Sequence, residues 1–114
     1  MKTDRELLEL AAKAAGIEIA TWSNCQAGGF LARECLPERR DRFWNPLTDD
    51  GDALRLAVKL DFTIDQYQTT KECSVSLCYA NKTLASCFYG EIGKEAATRC
   101  AIVRAAAKVG EAMQ

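Results

Sequence analysis

The chain contains no histidine among its 114 residues, and this absence narrows the chemistry open to it. Histidine is the commonest general base in enzymes and the usual partner of a serine or cysteine nucleophile. A Ser–His or Cys–His pair is therefore excluded within this chain. Phosphate-binding glycine motifs are missing as well, since Gly28-Gly29 is too short for one and is typical of a turn. We expect a binding protein rather than an enzyme, with no catalytic residue, no cofactor and no metal site.

Long apolar runs and an excess of charge of one sign are also lacking. The formal net charge is -1, which gives no general attraction to nucleic acid or to an anionic membrane. No run approaches the roughly 20 apolar residues that span a bilayer. The opening residues carry both charge signs and no signal-peptide pattern. These features predict a cytoplasmic protein without a membrane partner.

Cysteine is plentiful, yet its spacing follows no known pattern. None of the six shows the Cys-x-x-Cys spacing of zinc and redox motifs. Disulfides are rare in proteins that stay in the cytoplasm, so we expect free thiols. On a predicted hairpin, Cys78 and Cys87 are expected to act as small buried packing residues. The six are Cys25, Cys35, Cys73, Cys78, Cys87 and Cys100.

Three helices are predicted by apolar periodicity and by capping signals. The first covers residues 3–15, where Thr3 and Glu6 have capping-box spacing and Gly16 supplies a left-handed stop. The second begins after Thr48 as its cap. The third is alanine-rich, covers residues 94–109 and ends at Gly110.

The second helix carries two further predictions. Its buried stripe is expected to consist of Ala53, Leu54, Ala57 and Val58. Three aspartates at its start lack the alternating spacing of a calcium loop. They are better explained as complements to the positive end of the helix dipole. These are Asp49, Asp50 and Asp52.

Strands are predicted at residues 17–22 and 30–35, and three more follow the second helix. In the last hairpin, a turn at Asn81-Lys82 would place Val75 opposite Phe88. The hairpin's other face would then carry small residues that a helix or a second subunit could cover. The chain is thus predicted to be one α+β domain over residues 1–114. Its architecture would be an antiparallel sheet of four to five strands packed by three helices, in the order α-β-β-α-β-β-β-α.

Two stretches resemble a known family. Residues 44–58, which read WNPLTDDGDALRLAV, and residues 95–107, which read EAATRCAIVRAAA, are together similar to phage and prophage proteins described as α-β-α (ABA) sandwich proteins. The opening residues 7–12 and 16–17 fit the same family, whereas residues 25–40 and the strand region do not. The resemblance implies a layered α/β domain made in phage-infected or lysogenic bacteria. It implies no chemistry.

One cluster mixes cations with aromatic rings and is the predicted partner surface. Tryptophan and arginine are favoured at the energetic centres of protein interfaces, although the same residue types can also stack bases and bind phosphates. For the tryptophan, packing in the interior beneath the second helix is the favoured alternative. The cluster consists of Arg39, Arg40, Arg42, Phe43 and Trp44.

The function expected from these features is that of a phage accessory protein. It would bind a host or phage protein, and interference with a host process or defence system is one form this binding could take. Nucleic-acid binding through the arginine and aromatic cluster is the alternative. The sequence leaves the choice between monomer and homodimer open, because the small-residue face of the hairpin could be covered by a second subunit.

Overall fold

The computed structural model describes residues 3–17, 19–23, 29–32, 43–77, 83–90 and 92–113. In these parts of the chain, helices and antiparallel strands form an α+β fold, as predicted. The elements, in chain order, are α1 (Asp4–Ala15), β1 (Ile19–Ser23), β2 (Gly29–Ala32), β3 (Phe43–Trp44), α2 (Asp50–Lys59), β4 (Phe62–Tyr67), β5 (Glu72–Leu77), β6 (Thr83–Phe88) and α3 (Lys94–Ala112).

The described strands form two three-stranded sheets, with orders β1-β2-β3 and β4-β5-β6. The single sheet of four to five strands and the predicted order are therefore not confirmed. The difference arises at β3, a two-residue strand in a stretch predicted to be irregular. Its pairing partner is β2, where Phe30 lies opposite Trp44 and Leu31 opposite Phe43. Such pairing depends on tertiary contact, and two residues are too few to show a periodic pattern.

Helix α1 forms as its local signals predict. The Thr3 hydroxyl accepts a hydrogen bond from the Glu6 amide at 3.2 Å, and the Glu6 carboxylate accepts one from the Thr3 amide at 3.4 Å. This reciprocal capping box satisfies two amides that would otherwise lack partners. Gly16, with φ of 70°, ends the helix in the left-handed conformation. The buried residues of α1 are Leu8, Ala11, Ala12 and Ala15.

Helix α3 lies at the centre of the fold, between α1 and the β4–β6 sheet. It is buried around most of its circumference, and small side chains allow its neighbours to approach closely. The predicted end at Gly110 is wrong, because α3 continues through this residue to Ala112. A Cβ at Gly110 would lie 2.1 Å from the Leu10 carbonyl oxygen of α1. Gly110 is thus a contact point between two helices, a role that its sequence position alone does not distinguish from a stop.

Helix α2 is rotated relative to its predicted orientation. Ala53 and Ala57 are buried as expected, but Leu56 is buried with them, while Leu54 is 60% and Val58 67% exposed. Residues 53, 56 and 57 lie on one face of a helix, as the residues of the predicted stripe also do. The helical period therefore does not distinguish the two orientations. The cap is also one residue later than predicted, since the side chain of Asp49, rather than that of Thr48, accepts a hydrogen bond from the Asp52 amide.

The β5–β6 register differs from the predicted one by three residues. Val75 lies opposite Ala85 rather than Phe88, and Cys73 lies opposite Cys87, with a bulge between Val75 and Ser76. Because side chains alternate between faces, an odd shift reverses every face assignment in one strand. Phe88 is consequently 68% exposed instead of buried. The assumed turn at residues 81–82 lies outside the described residues.

Candidate binding surface and thiol cluster

The structure describes only two residues of the predicted partner cluster, Phe43 and Trp44. Arg39, Arg40 and Arg42 lie outside the described residues, and Phe43 is described only as part of β3. Trp44 is 7% exposed and belongs to the hydrophobic core. Its burial agrees with the alternative in which this residue packs in the interior. The role of the three arginines as a partner surface remains a prediction.

The β4–β6 sheet has one face against α3 and one face turned away from it. Two hydrogen bonds identify the inner face: the Gln66 amide donates to the Thr98 hydroxyl at 3.0 Å, and the Arg104 guanidinium donates to Cys87 Sγ at 3.5 Å. Alternation along the strands then defines the outer face. Hydroxyl groups dominate it. The outer face consists of Thr63, Asp65, Tyr67, Glu72, Ser74, Ser76, Thr83, Ser86 and Phe88.

An acidic side chain lies between two aromatic rings at one end of this outer face. Glu72, on the central strand, is opposite Tyr67 of β4 on one side and opposite Phe88 of β6 on the other. Tyr67 is 46% and Phe88 68% exposed. The Thr70 hydroxyl donates to Glu72 Oε1 at 3.2 Å and so helps to fix the carboxylate. We call these three residues the Tyr67–Glu72–Phe88 row.

A cavity of about 320 Å³ opens between α2, β4 and the start of α3. Its apolar lining comes from Ala53, Leu54, Ile64 and Ile102. Charges of both signs surround it, and Arg99 is held by the Leu47 carbonyl at 2.9 Å and by the Asp50 carboxylate. The opening can accept an apolar group, but nothing in its charge selects one ligand class. The charged and polar lining residues are Asp50, Gln66, Lys94, Glu95, Thr98 and Arg99.

Two of the three aspartates at the start of α2 hold the helix to the preceding chain. Asp49 Oδ2 accepts the Asp52 amide at 2.8 Å. Asp52 is itself buried, and it accepts the Asn45 amide at 2.9 Å and the Arg55 guanidinium at 2.8 Å. The predicted helix-start role is therefore confirmed for these two residues. Among the residues that the structure describes, no group of three or more acidic or thiol side chains converges in a way that could hold a metal ion.

Three thiols meet where the inner face of the sheet contacts α3. Cys73 and Cys87 are buried cross-strand partners, and Cys100 of α3 is partly exposed. All three are free. Arg104 lies one helical turn after Cys100 and donates to Cys87 Sγ at 3.5 Å, and Cys87 and Cys100 influence each other's acidity. The other three cysteines, Cys25, Cys35 and Cys78, lie outside the described residues.

This arrangement separates the acidities of the thiols. The interaction with Cys87 and, more weakly, the charge of Arg104 together lower the pKa of Cys100 to about 6, against burial and Asp4, which raise it. The same interaction between the two thiols, followed by burial, raises the pKa of Cys87. Burial also raises the pKa of Cys73. The lowered pKa gives Cys100 a larger thiolate fraction than Cys73 or Cys87, and the thiolate is the reactive form of a cysteine.

Sequence reasoning missed both the Tyr67–Glu72–Phe88 row and the cluster of thiols around Cys87. The row depends on the observed register of β5 and β6, and a bulge between these strands cannot be recognised from the sequence. For the thiols, one signal was present: Cys100 and Arg104 are four residues apart on a predicted helix and so share a face. The third participant, Cys87, becomes a neighbour only when the sheet packs on α3.

Comparison with protein-family models, with curated proteins and with solved structures finds no match to this chain. The resemblance to phage sandwich proteins stays a prediction. None of the described helices combines the length and the apolar character needed to cross a membrane.

Proposed function

We propose that the protein acts by binding another protein, and that the outer face of the β4–β6 sheet receives a segment presenting a lysine or arginine. The observation that carries this proposal is the Tyr67–Glu72–Phe88 row, in which two exposed rings flank a carboxylate. A cation is the group that matches both the ring faces and the carboxylate.

Strand geometry gives the row its dimensions. Directly opposite residues have Cβ atoms about 5 Å apart, so the two rings start roughly 10 Å apart with Glu72 between them. An extended cationic side chain can lie between rings at that spacing. Each cation–ring contact at an exposed site contributes about 0.5–1 kcal/mol. The row as a whole then contributes about 2 kcal/mol, including an exposed ion pair.

The charge of the outer face favours a protein partner over a nucleic acid. Its two carboxylates, Asp65 and Glu72, would repel phosphates. Ser76 and Ser86 have short side chains that are partly or fully exposed, so an extended backbone can approach the sheet closely at these positions. Nucleic-acid binding through Arg39, Arg40 and Arg42 remains the alternative, since it would use a different part of the chain.

The size of the face indicates what kind of complex to expect. Three strands of six residues measure about 20 Å by 14 Å, which is well below the roughly 800 Å² per partner of a standard interface. A short segment that binds weakly and reversibly fits this area. The biological setting proposed with it is that of a phage accessory protein in the bacterial cytoplasm, acting on a host or phage protein. The support for this setting is the sequence resemblance.

The test is a titration of isotope-labelled protein with two synthetic peptides, followed by NMR. Both peptides alternate apolar residues with charged ones; one carries lysine and arginine, and the other carries glutamate. We expect the basic peptide to shift the amide signals of residues 67, 72 and 88, and the acidic peptide to leave them unchanged. Phe88→Ser should weaken binding of the basic peptide about two- to five-fold, the equivalent of one ring contact.

Val58→Ser is the matched control, because Val58 is exposed to a similar degree, 67%, but lies on α2 and outside the cavity lining. Its affinity for the basic peptide should equal that of the wild type. Equal binding of both peptides, or loss of binding in the control but not in Phe88→Ser, would rule out the row as the binding surface. A parallel titration with DNA at several salt concentrations tests the alternative of nucleic-acid binding. Phosphate contacts would give an affinity that falls steeply as the salt concentration rises.

A further inference from the structure

We propose that Cys100 and Cys87 form an oxidation site for hydroperoxides, in which Cys100 reacts first and a disulfide to Cys87 follows. This inference is independent of the proposed binding function. It rests on the meeting of two free thiols from different elements, β6 and α3, beside the Arg104 guanidinium.

Access and position assign the two roles. Cys100 is partly exposed, whereas Cys87 is 7% exposed, so a small oxidant reaches Cys100 first. Arg104 donates to Cys87 Sγ at 3.5 Å and lies one helical turn after Cys100, so both thiols lie beside the same guanidinium. An S–S bond is about 2.0 Å long, so the two sulfurs must move together after the first step.

Arg104 supplies the positive charge that such a site requires. Its Nη1 lies 3.5 Å from Cys87 Sγ, and its charge lowers the pKa of both thiols. The thiolate is the nucleophilic form of cysteine, and a neighbouring cation increases its population. The Cys87 thiol, which donates to Cys100, is held protonated until the second step.

The chemistry balances with the hydroperoxide as the only oxidant. The Cys100 thiolate attacks the terminal oxygen, the O–O bond breaks, and an alkoxide leaves and takes a proton from water. This step produces a sulfenic acid on Cys100. Cys87 sulfur then attacks the Cys100 sulfur, and the hydroxyl group leaves with the Cys87 proton as water. Two thiols are oxidised by two electrons, and the hydroperoxide is reduced to an alcohol and water.

The third thiol offers an internal comparison. Cys73 lies directly across the strand pair from Cys87, but its surroundings raise its pKa, mainly through burial. It is buried, and no cation is among the influences on its acidity. Cys73 is therefore expected to stay reduced while the Cys87–Cys100 pair closes.

The experiment treats the full-length protein with tert-butyl hydroperoxide at neutral pH and maps disulfides by mass spectrometry of a non-reducing digest. The expected product is a Cys87–Cys100 bond, with a mass lower by two hydrogens. Cys87→Ser should instead accumulate a sulfenic acid on Cys100 that a dimedone probe captures. Cys100→Ser should form no bond to Cys87, and Cys73→Ser should react as the wild type does.

Arg104→Gln should slow the first step at least several-fold while the same product forms. Circular dichroism confirms that each variant is folded, and Cys87→Ala replaces Cys87→Ser if the serine variant does not fold. A Cys73–Cys87 bond as the main product would overturn the proposal. So would a Cys100 that reacts with the hydroperoxide no faster in the native protein than in the protein unfolded in urea.

Discussion

Replacing Gly110 with alanine tests the packing of α1 against α3. The added Cβ would lie 2.1 Å from the Leu10 carbonyl oxygen and 2.8 Å from its carbon. Favourable contacts between such atoms begin near 3.5 Å, so the two helices would have to separate by about 1 Å. The obstacle is backbone, which cannot rotate aside as a side chain can.

Two opposing effects decide the size of the change in stability. Alanine is better than glycine inside a helix by about 1 kcal/mol. Overpacking of a close contact costs about 1–3 kcal/mol, and the upper end applies here because the whole α1–α3 interface moves. We therefore expect Gly110→Ala to lower the free energy of unfolding by about 2 kcal/mol. For a domain of this size, that corresponds to a fall in Tm of roughly 10 °C.

Urea unfolding followed by circular dichroism measures this difference, with Gly51→Ala as the matched control. Gly51 is also helical, but a Cβ there would meet only side-chain atoms, namely the Arg55 guanidinium at 3.1 Å and the Asp49 carboxylate at 3.2 Å. The Arg55 guanidinium can move aside, and weakening of the Asp49 cap is offset by the helix propensity of alanine, so the control should stay within about 1 kcal/mol of the wild type. If Gly110→Ala unfolds at the same urea concentration as the wild type or at a higher one, the close helix contact is refuted.

Two further predictions follow from the described side chains. Asp52→Ala should lower the free energy of unfolding by about 2 kcal/mol, because the buried backbone amide of Asn45 loses its acceptor. Asp50→Ala removes only an ion pair at an exposed carboxylate and should cost about 0.5 kcal/mol. Urea unfolding compares the two variants, and equal losses would contradict the assigned role of Asp52. The rate of Cys100 alkylation by iodoacetamide should reach half its maximum near pH 6, the value to which the pKa of Cys100 is lowered, and Cys87→Ala, which removes the donor, should move that midpoint upward. Because folding lowers this pKa from 9.0, the stability that Cys100 contributes is complete above about pH 9 and is lost as the pH falls through about 6. A midpoint near 9 in the wild-type protein would refute the thiolate assignment.

Local signals account for the parts of the fold that could be predicted. The capping box of Thr3 and Glu6 and the stop at Gly16 act within a few residues of one another, so the bounds of α1 follow from the sequence. The small residues of α3 likewise indicated a helix that packs closely. None of these predictions required knowledge of how the helices and strands pack against one another.

The remaining predictions failed where a neighbour decides between equivalent patterns. Leu54 and Leu56 fit the helical period of α2 equally well, and the buried hydrogen bonds of Asp52 select the orientation that exposes Leu54. A bulge after Val75 shifts the hairpin and exposes Phe88. The Tyr67–Glu72–Phe88 row and the Cys87–Cys100 pair both depend on that register, which is why sequence reasoning did not locate them.

The contact between α1 and α3 also has a consequence for how the protein matures in the cell. About 80 residues separate the end of α1 from the start of α3, and at a synthesis rate of roughly 5–20 residues per second the ribosome needs several seconds to make them. During that interval Leu8 and the alanines of α1 have no α3 to pack against. Newly made α1 is thus an amphipathic helix whose apolar face is still uncovered. The core can form only after α3 has been synthesised, so the protein cannot fold progressively from its N-terminus.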